Sequence, residues 1–207
     1  MATEILEEPR IGSALFDVRH RITVEEYHRM AEAGIFGPES RVELLEGVIV
    51  DKMTKKTPHV HATDLLEDLL HHFLPRGAGY FASMGNPVTI EDRDGEPEPD
   101  AMVLRGRLSD YAGRRRTPAD AALIVEVSDT SYRYDRFDKW VTYAGAGVPV
   151  YWILDLNGGR LEVHTEPSGQ GETASYARTQ IFGPDDEVLL ILDGREVARF
   201  AAREILP

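Results

Sequence analysis

Two acidic residues of this sequence lie where a buried strand would have to accommodate a carboxylate. Glu126 is near the end of the continuous apolar run Ala121–Val127, and Asp100 begins a second predicted strand, Asp100–Leu104. A carboxylate inside an apolar run costs free energy unless it is paired, hydrogen-bonded or bound to a metal. On neighbouring strands, the two carboxylates would offer hard oxygen ligands for Mg²⁺. Such an ion lowers the pKa of a bound water and stabilises charge on a phosphoryl group.

A structural interpretation of the same two acids is open as well. Glu126 would then be a core acid whose carboxylate is satisfied by an arginine or a backbone donor, and Asp100 would cap the start of its strand. The spacing of the two residues does not by itself choose between the structural and the metal-binding interpretation.

Helices and further strands are predicted to position these acids. Thr23 and Glu26 form a capping-box pattern at the start of a helix that Gly34 would end. From His59 to Leu74 apolar residues recur at helical spacing, which predicts a second helix. The other predicted elements are a hairpin of Val42–Leu45 and Val48–Met53, a helix near Tyr134–Ala144, and the strands Tyr80–Met84, Val88–Glu91, Val150–Leu154, Arg160–His164, Tyr176–Phe182 and Val188–Leu192.

The order of these elements predicts the fold class. A helix between two apolar strands is typical of a crossover connection, and the whole series fits a mixed sheet with helices packed on it. We therefore expect an α/β or α+β fold. The length of 207 residues predicts a single domain, residues 23–207, preceded by an N-terminal arm, residues 1–22.

Composition and charge exclude several classes of protein and site. The absence of cysteine excludes disulfides, thiol nucleophiles and thiolate metal sites. No apolar run reaches the ~18 residues of a membrane span, and the acidic N-terminal sequence does not resemble a signal peptide, so we expect a cytoplasmic protein with no membrane partner. The net charge of −13 argues against a protein that coats nucleic acid broadly. It does not exclude an enzyme that meets a polyanion through a metal and a local basic patch.

Three segments of the chain resemble the Uma2 family of restriction-endonuclease-like proteins. They are RVELLEGVIVDKM, PEPDAMVL and LIVEVSDTSYRYDRFDKWVTYAGAGVPVYWILDL, and His59 lies between the first and the second. The resemblance runs from about Thr23 to His164, and the segment from Glu126 to Asp155 is its most specific part because several spacings match at once.

The resemblance implies a PD-(D/E)xK nuclease fold, a mixed sheet flanked by helices, with Mg²⁺-dependent (or Mn²⁺-dependent) hydrolysis of phosphodiester bonds. Asp100, after Pro99, would match the first acid of the motif, Glu126 the second, and Glu43 the early glutamate of the family. Glu46 matches a position where the family often has aspartate before glycine, and His59 matches a histidine at the start of the long helix.

One position departs from the motif, which has a lysine two residues after the second acid. Here that residue is Ser128, whereas the family pattern places a lysine on the following helix, matching Lys139, with Tyr143 one turn later. On an α-helix, Lys139 would lie opposite an apolar stripe made of Phe137, Trp140, Val141 and Ala144. If this stripe packs on the sheet, Lys139 points away from the carboxylates and pairs with Asp135. If the stripe faces a second subunit or layer, Lys139 could reach the cleft.

Basic residues and histidines offer further candidates. Arg114, Arg115 and Arg116, in a predicted mobile loop over residues 105–118, would contact phosphates or else pair with nearby acids. A second candidate basic patch consists of Lys52, Lys55 and Lys56. His59 and His61 do not have the spacing of a zinc site, because histidines two apart on a helix point to different faces.

Two functions of different classes follow from these residues. In the first, Asp100 and Glu126 hold Mg²⁺, Glu43 is a further acid, and Lys139 positions the water that attacks a phosphodiester of nucleic acid, which we expect to be DNA. In the second, the chain is a nuclease-fold binding or interaction module without catalysis, as the serine at position 128 and the acidic charge suggest. Hydrolysis of a non-nucleic phosphate ester is a third hypothesis. A homodimer would suit an enzyme that cuts both strands.

Overall fold

The helices and strands follow one another in nearly the order that the sequence predicts. This computed structural model describes residues 20–207. In chain order the elements are α1 (Val24–Glu32), β1 (Val42–Leu45), β2 (Val48–Asp51), α2 (Thr57–Phe73), β3 (Tyr80–Met84), β4 (Ala101–Arg105), β5 (Ala121–Ser128), α3 (Trp140–Gly145), β6 (Val150–Asp155), β7 (Arg160–Ser168), β8 (Ser175–Phe182), β9 (Glu187–Leu192) and β10 (Arg195–Ala201). A π-helical segment, Tyr134–Lys139, leads directly into α3.

Strands β3 to β8 form a six-stranded sheet in which chain order is also spatial order. The neighbouring strands are antiparallel, except that β5 and β6 run parallel. A parallel pair requires a crossover connection, and here the π-helical segment and α3 supply it. The predicted mixed sheet flanked by helices is confirmed, and so is the predicted crossover.

The central strand β5 is buried on both faces of the sheet, as its continuous apolar sequence predicts. Leu123 and Val125 belong to a core that includes α2 and the β9–β10 hairpin. Ile124 belongs to the opposite core, which includes Tyr143 and Tyr151. Because side chains alternate along a strand, Glu126 shares the face of Ile124 and points toward the side of the π-helical segment.

Local signals account for the elements at the N-terminal side of the described chain. Thr23 caps α1 and forms the predicted capping box with Glu26. Strands β1 and β2 pair antiparallel across Glu46 and Gly47, both of which have positive φ, 50° and 72°. Positive φ at both central residues is typical of the turn that suits the right-handed twist of a hairpin. The hairpin places Glu43 on β1 with its side chain buried.

Two strand predictions differ from the structure. Residues 88–91 are predicted as a strand but do not form one. Val88 N donates to Pro97 O in a loop, and Ile90 forms an isolated bridge with Gly95. Strand β10 was absent from the predicted elements, although the Asp193-Gly194 turn before it is a strong hairpin signal. Arg195, Glu196 and Arg199 interrupt the apolar pattern of β10, and only Ala198 and Phe200 of this strand are buried in the core.

The predicted mobile loop at residues 105–118 contains short 3₁₀ turns that are tied to the sheet. Tyr111 is buried and its hydroxyl donates to Arg105 O over 2.7 Å. Arg105 in turn pairs with Asp193 in the turn of the β9–β10 hairpin. This segment is therefore anchored at both a buried aromatic residue and a charged pair.

Most of the predicted N-terminal arm, residues 1–22, lies outside the described residues, apart from residues 20–22 at its end. Ile22 N donates to Gly47 O over 3.0 Å, which joins the start of the described chain to the β1–β2 turn. No helix within residues 20–207 has both the length and the apolar character that crossing a bilayer requires.

Candidate active site

Asp100 and Glu126 lie next to each other at one end of the sheet. Strands β4 and β5 pair Met102 with Ile124 and Ala101 with Val125, and the same register sets Asp100 opposite Glu126. Val127 N donates to Asp100 Oδ2 over 2.9 Å, which holds the first carboxylate against the backbone of the second strand. Opposed residues of antiparallel strands have Cβ atoms about 4.5–5.5 Å apart, a separation at which two carboxylates can share one cation.

Glu126 is buried and its carboxylate is bound on one oxygen. Its Oε1 accepts hydrogen bonds from Lys139 Nζ and from the Tyr143 hydroxyl, both over 2.9 Å. Burial raises the pKa of Glu126 well above its usual value; the Lys139 ammonium opposes this rise, and the neighbouring carboxylates of Asp135 and Asp100 add to it. Negative charge is therefore costly at this carboxylate, and a nearby cation would be strongly favoured there.

Lys139 points into the site and is surrounded by acids. Its Nζ lies 3.4 Å from Glu43 Oε1 as well as 2.9 Å from Glu126 Oε1, and its side chain is 7% exposed. Burial alone would lower the pKa of this lysine, but the carboxylates of Glu126, Glu43 and Asp135 raise it well above its usual value. The ammonium therefore stays charged inside the protein.

The π-helical segment and α3 turn their polar face toward the cleft, where Lys139 contacts Glu43 on β1 and Glu126 on β5. Asp135, Lys139 and Tyr143 are all buried, whereas Phe137, in the predicted apolar stripe, is 58% exposed. The polar face of this segment is thus the inward face. Of the two orientations left open by the sequence, the structure has the one in which Lys139 reaches the carboxylates.

Glu43 joins the same cluster from the β1–β2 hairpin. Its Oε1 accepts a hydrogen bond from the Tyr134 hydroxyl over 3.1 Å, and its Oε2 accepts one from Glu98 N over 2.9 Å. Burial and the Glu43 charge raise the pKa of Tyr134 above its usual value, so this hydroxyl remains a donor. The hairpin, the strand β5 and the π-helical segment each contribute one charged group to the arrangement.

Asp100 is paired with two basic groups on α2 and the loop before it. Its Oδ1 lies 2.8 Å from Lys55 Nζ and 3.1 Å from His59 Nε2. Burial would raise the pKa of Asp100, but the hydrogen bonds and charges of His59 and Lys55 outweigh it and lower that pKa below its usual value. The pKa of Asp100 is therefore shifted in the direction opposite to that of Glu126 on the neighbouring strand.

Asp135 is a further buried acid at the cleft that was considered only as a partner of Lys139. Its Oδ2 accepts hydrogen bonds from Ser128 Oγ over 2.6 Å and from Ser131 Oγ over 2.5 Å. Burial raises the pKa of Asp135 above its usual value. The spacing of four residues places Asp135 on the same helix face as Lys139, which is the sequence signal for its position at the cleft. The same spacing is also typical of an ion pair on the protein surface. No salt bridge joins Asp135 to Lys139 among the described residues.

The side chains predicted to line the cleft have three different placements. His59 lies on the wall of a cleft of about 280 Å³ that the residues Glu43, Asp100, Glu126 and Lys139 also line. Ser128 and Tyr143 are fully buried and reach the lining acids by hydrogen bonds. Glu46 does not line this cleft: it lies in the β1–β2 turn, where its carboxylate binds Arg93, Arg21 and Thr142. The turn conformation directs it outward, toward those arginines.

The three arginines considered for phosphate contacts lie outside the cleft lining. Arg114 forms two hydrogen bonds with Asp120, over 2.8 and 2.9 Å, and Arg115 lies 3.0 Å from Glu91. Arg116 is half-buried, and its Nε has no hydrogen-bond partner among the described residues. Two of the three thus pair with nearby acids.

The residues present fit a divalent cation. Within residues 20–207, no group of three or more histidine or acidic side chains is arranged to hold a metal alone. Mg²⁺ commonly takes only one or two protein carboxylates and keeps several waters, so Asp100 and Glu126 are enough protein ligands for one such ion. Glu126 Oε2 accepts no hydrogen bond from a described residue. An oxygen ligand is therefore available beside a carboxylate whose burial favours a cation.

A second buried acid on the same face of the sheet has a different role. Glu162 on β7 accepts a hydrogen bond from the Tyr132 hydroxyl over 2.8 Å and pairs with Arg160 and Arg136, over 3.0 and 3.3 Å. Burial would raise the pKa of Glu162, but the nearby His164 ring, the hydrogen bond from Tyr132 and the charge of Arg160 lower it to about 2. This carboxylate lies outside the cleft lining and has basic partners on several sides.

We expect Glu162→Gln to lower the free energy of unfolding by roughly 1–3 kcal/mol near pH 7. The folded pKa lies below the unfolded one, so the charged form stabilises the fold above about pH 4.5. This stabilisation is lost as the pH falls toward about 2. Urea unfolding of both proteins across this range measures the difference. A difference that stayed constant from pH 7 to pH 2.5 would contradict the assignment of the ion pairs as its cause.

The comparisons with known proteins identify first the class of fold. The structure resembles a crystal structure from Anabaena variabilis, described as "a putative nuclease belonging to DUF820", with a TM-score of 0.62 and 14% sequence identity over 89% of this chain and 97% of that one. At this identity the likeness establishes the fold, which is nuclease-like. The search of curated proteins found no match.

The sequence identifies the family more narrowly. The profile of the Uma2 family, described as "Putative restriction endonuclease", matches residues 24–198. Because the match covers most of the chain, this protein belongs to the Uma2 family. The resemblance noted from the sequence is confirmed, and so is the expectation of a restriction-endonuclease-like fold.

Proposed function

We propose that this protein is a metal-dependent endonuclease of the PD-(D/E)xK type that hydrolyses phosphodiester bonds of DNA. The observation that carries the proposal is the opposition of two buried carboxylates, Asp100 and Glu126, on adjacent strands, with the Lys139 ammonium 2.9 Å from Glu126 Oε1. Two acids and a lysine around one cleft are the groups that phosphodiester hydrolysis requires: oxygen ligands for a metal and a donor near the attacking water.

Asp100 and Glu126 would hold Mg²⁺, or Mn²⁺ in its place. Bound there, the ion supplies charge stabilisation for the phosphoryl group and a lower pKa for the attacking water. His59 orients Asp100 through a hydrogen bond of 3.1 Å, and the Tyr143 hydroxyl orients Glu126 over 2.9 Å. Each carboxylate is thus fixed in place by a neighbour, so little reorganisation is needed when a cation and a substrate arrive.

Lys139 would perform the role that the motif gives to a lysine on the strand. Ser128 stands at that strand position and donates to Asp135, so its hydroxyl is engaged within the core. The Lys139 ammonium comes from the following helical segment and lies between Glu43 and Glu126. From there it can donate a hydrogen bond to the attacking water or to a phosphoryl oxygen, and Glu43 helps keep it charged.

Nucleic acid would reach this site despite the net charge of −13. Lys52 and Lys55 line the cleft, and Lys56 is exposed beside them at the start of α2. Lys52 pairs with Glu98 and Lys55 with Asp100, and these three lysines are the basic groups at the cleft that phosphates could contact. Arg114, Arg115 and Arg116 are a second group of candidate contacts. A homodimer would place two such sites on one duplex, and the exposed Phe137 marks one surface where a second subunit could pack.

The proposal predicts DNA cleavage that depends on a divalent cation. Supercoiled plasmid should be nicked or linearised when Mg²⁺ or Mn²⁺ is present, and EDTA should abolish the reaction. Asp100→Asn should be inactive, because it removes one of the two carboxylate ligands while it keeps the shape of the side chain. Gel electrophoresis of plasmid, single-stranded DNA and RNA measures the activity and the substrate class. Full activity of Asp100→Asn, or activity unaffected by EDTA, would contradict the proposal.

A nuclease-fold module without catalysis is the second candidate function. The observation that favours it is that each of the two acids is already paired with a lysine, Asp100 with Lys55 and Glu126 with Lys139. Calorimetric titration with Mg²⁺ or Mn²⁺ separates the candidates. Heat of binding and a rise in melting temperature support the nuclease, and the absence of both, together with no cleavage, supports the module.

A further inference from the structure

The two acids of the cleft are each balanced by one ammonium group, and the two ammonium groups differ in burial. Lys139 lies 2.9 Å from Glu126 with a side chain 7% exposed, and Lys55 lies 2.8 Å from Asp100 with a side chain 36% exposed. Lys139 is held between the carboxylates of Glu43 and Glu126 in the core. Lys55 can therefore leave its partner without opening the core, whereas Lys139 cannot.

The segment that carries Lys55 is suited to such a movement. Residues 52–56 join β2 to α2 and belong to neither a strand nor a helix. Lys55 Nζ makes one hydrogen bond to a described residue, the one to Asp100 Oδ1. Rotation about the single bonds of its four-carbon stem can move the ammonium of a lysine by several ångströms. Hydration of the exposed ammonium then offsets the loss of the ion pair.

Lys55 also occupies an oxygen that a metal would need. Asp100 Oδ2 accepts a hydrogen bond from Val127 N, and Oδ1 takes both Lys55 and His59. A divalent cation coordinated at Oδ1 would lie within a few ångströms of the Lys55 ammonium, and the repulsion between the two positive charges in a partly buried site is large. The cation and the ammonium are therefore competitors for Asp100.

We propose that Lys55 is an exchangeable cation of the site. Its ammonium balances Asp100 in the metal-free protein, gives way when a divalent cation binds, and then contacts a phosphate of the nucleic acid beside that cation. A freed lysine is well suited to this contact, because its three N–H donors and its charge match a phosphate oxygen. The inference rests on the proposed function, since it requires Asp100 to be a metal ligand.

A purely structural pair would behave differently. If Lys55 served only to anchor the 52–56 segment over the cleft, its removal would loosen Asp100 and weaken the binding of a cation. Competition predicts the opposite sign, because removal of the ammonium frees the oxygen. The direction of the change in metal affinity therefore separates the two roles.

The first measurement is the affinity for Mn²⁺ by calorimetry, with Lys55→Met compared against Lys56→Met. Both variants lose one positive charge at neighbouring positions, but Lys56 forms no salt bridge with a described residue. We expect Lys55→Met to bind Mn²⁺ about three- to tenfold more tightly than Lys56→Met, the range for losing one partly exposed charged hydrogen bond. Lys55→Arg, which keeps the competing charge, should bind Mn²⁺ no more tightly than the wild type.

The second measurement is binding of a fluorescent 30-base-pair DNA duplex with and without Ca²⁺, which occupies oxygen sites. With Ca²⁺, Lys55→Met should bind the duplex several-fold more weakly than the wild type, with a salt slope lower by about 1. Without Ca²⁺, Lys55→Met and the wild type should bind the DNA equally, because Lys55 of the wild type is then engaged with Asp100. Weaker DNA binding by Lys55→Met that occurs only in Ca²⁺ is expected if the cation displaces Lys55, and not if Lys55 always contacts the DNA.

Each outcome decides the matter. The exchange is wrong if Lys55→Met binds Mn²⁺ with the same affinity as Lys56→Met, or with a lower one. In that case the proposed function still stands, provided that the wild type binds Mn²⁺. Equal affinities of Lys55→Met and the wild type for DNA in Ca²⁺ overturn the transfer of Lys55 to phosphate. If the wild type and every variant fail to bind Mn²⁺, the proposed function fails and the exchange fails with it.

Discussion

Glu126→Gln is expected to lower metal-dependent cleavage by roughly 10³-fold or more while the fold stays intact. The substitution preserves the volume of the side chain and keeps an oxygen that can accept hydrogen bonds from Lys139 and Tyr143. It removes the negative charge that would hold the cation. Because burial makes this charge costly, the melting temperature should be unchanged or higher. Plasmid cleavage and thermal unfolding, monitored by circular dichroism, measure the two properties.

Glu162→Gln is the matched control for this variant. Glu162 is buried on the same face of the sheet, as Glu126 is, but its basic partners stabilise its charge and it lies outside the cleft lining. We expect the control to lose stability and to keep cleavage, the reverse of the pattern for Glu126→Gln. Cleavage at wild-type rates by Glu126→Gln, or equal loss of cleavage in both variants, would remove Glu126 from the metal site.

Lys139→Met is expected to be the most destabilising of the single substitutions considered, by roughly 3–5 kcal/mol, and to abolish cleavage. Methionine fills nearly the same volume but leaves the buried carboxylates of Glu43 and Glu126 without their shared ammonium. The loss arises from uncompensated negative charge, so stability should recover in part at low pH as Glu126, whose pKa is raised by burial, takes up a proton. Chemical unfolding between pH 5 and pH 8 tests this dependence.

A double substitution separates the charge from the packing contribution of Lys139. In Lys139→Met/Glu126→Gln one carboxylate is neutral, so part of the lost stability, about 1–3 kcal/mol, should return. Cleavage should not return, since both groups are required for it. If the double variant were less stable than Lys139→Met alone, the proposed charge balance between these two residues would be wrong.

Much of the fold follows from local patterns in the sequence. The capping box at Thr23, the Glu46-Gly47 turn and the apolar run around Glu126 each predict the element that is present. The strand predictions were wrong where the pairing of a strand depends on residues far away in the sequence. The segment 88–91 has the composition of a strand but bonds to loops, and β10 forms because β9 and the core lie beside it.

The candidate site divides in a similar way. Asp100, Glu126, Glu43 and Lys139 were selected from residue type and from the family resemblance, and the structure brings all of them to one cleft. Lys55 and Asp135 were not assigned a place there. Lys55 comes from a loop whose sequence carries no sign of its direction, and Asp135 looked like one half of a surface pair on an ordinary helix.

By itself the sequence determined the class of the fold and the central buried strand that carries Glu126, because hydrophobic periodicity is a local property. Only the tertiary structure decided the direction of Lys139 and the pairing of each acid with its own lysine. That direction depends on which face of the helical segment packs against β5 and the β1–β2 hairpin, where Lys139 meets Glu126 and Glu43. The pairing depends on strand register and on a loop folded back across the sheet, and these arise from contacts between residues far apart in the chain.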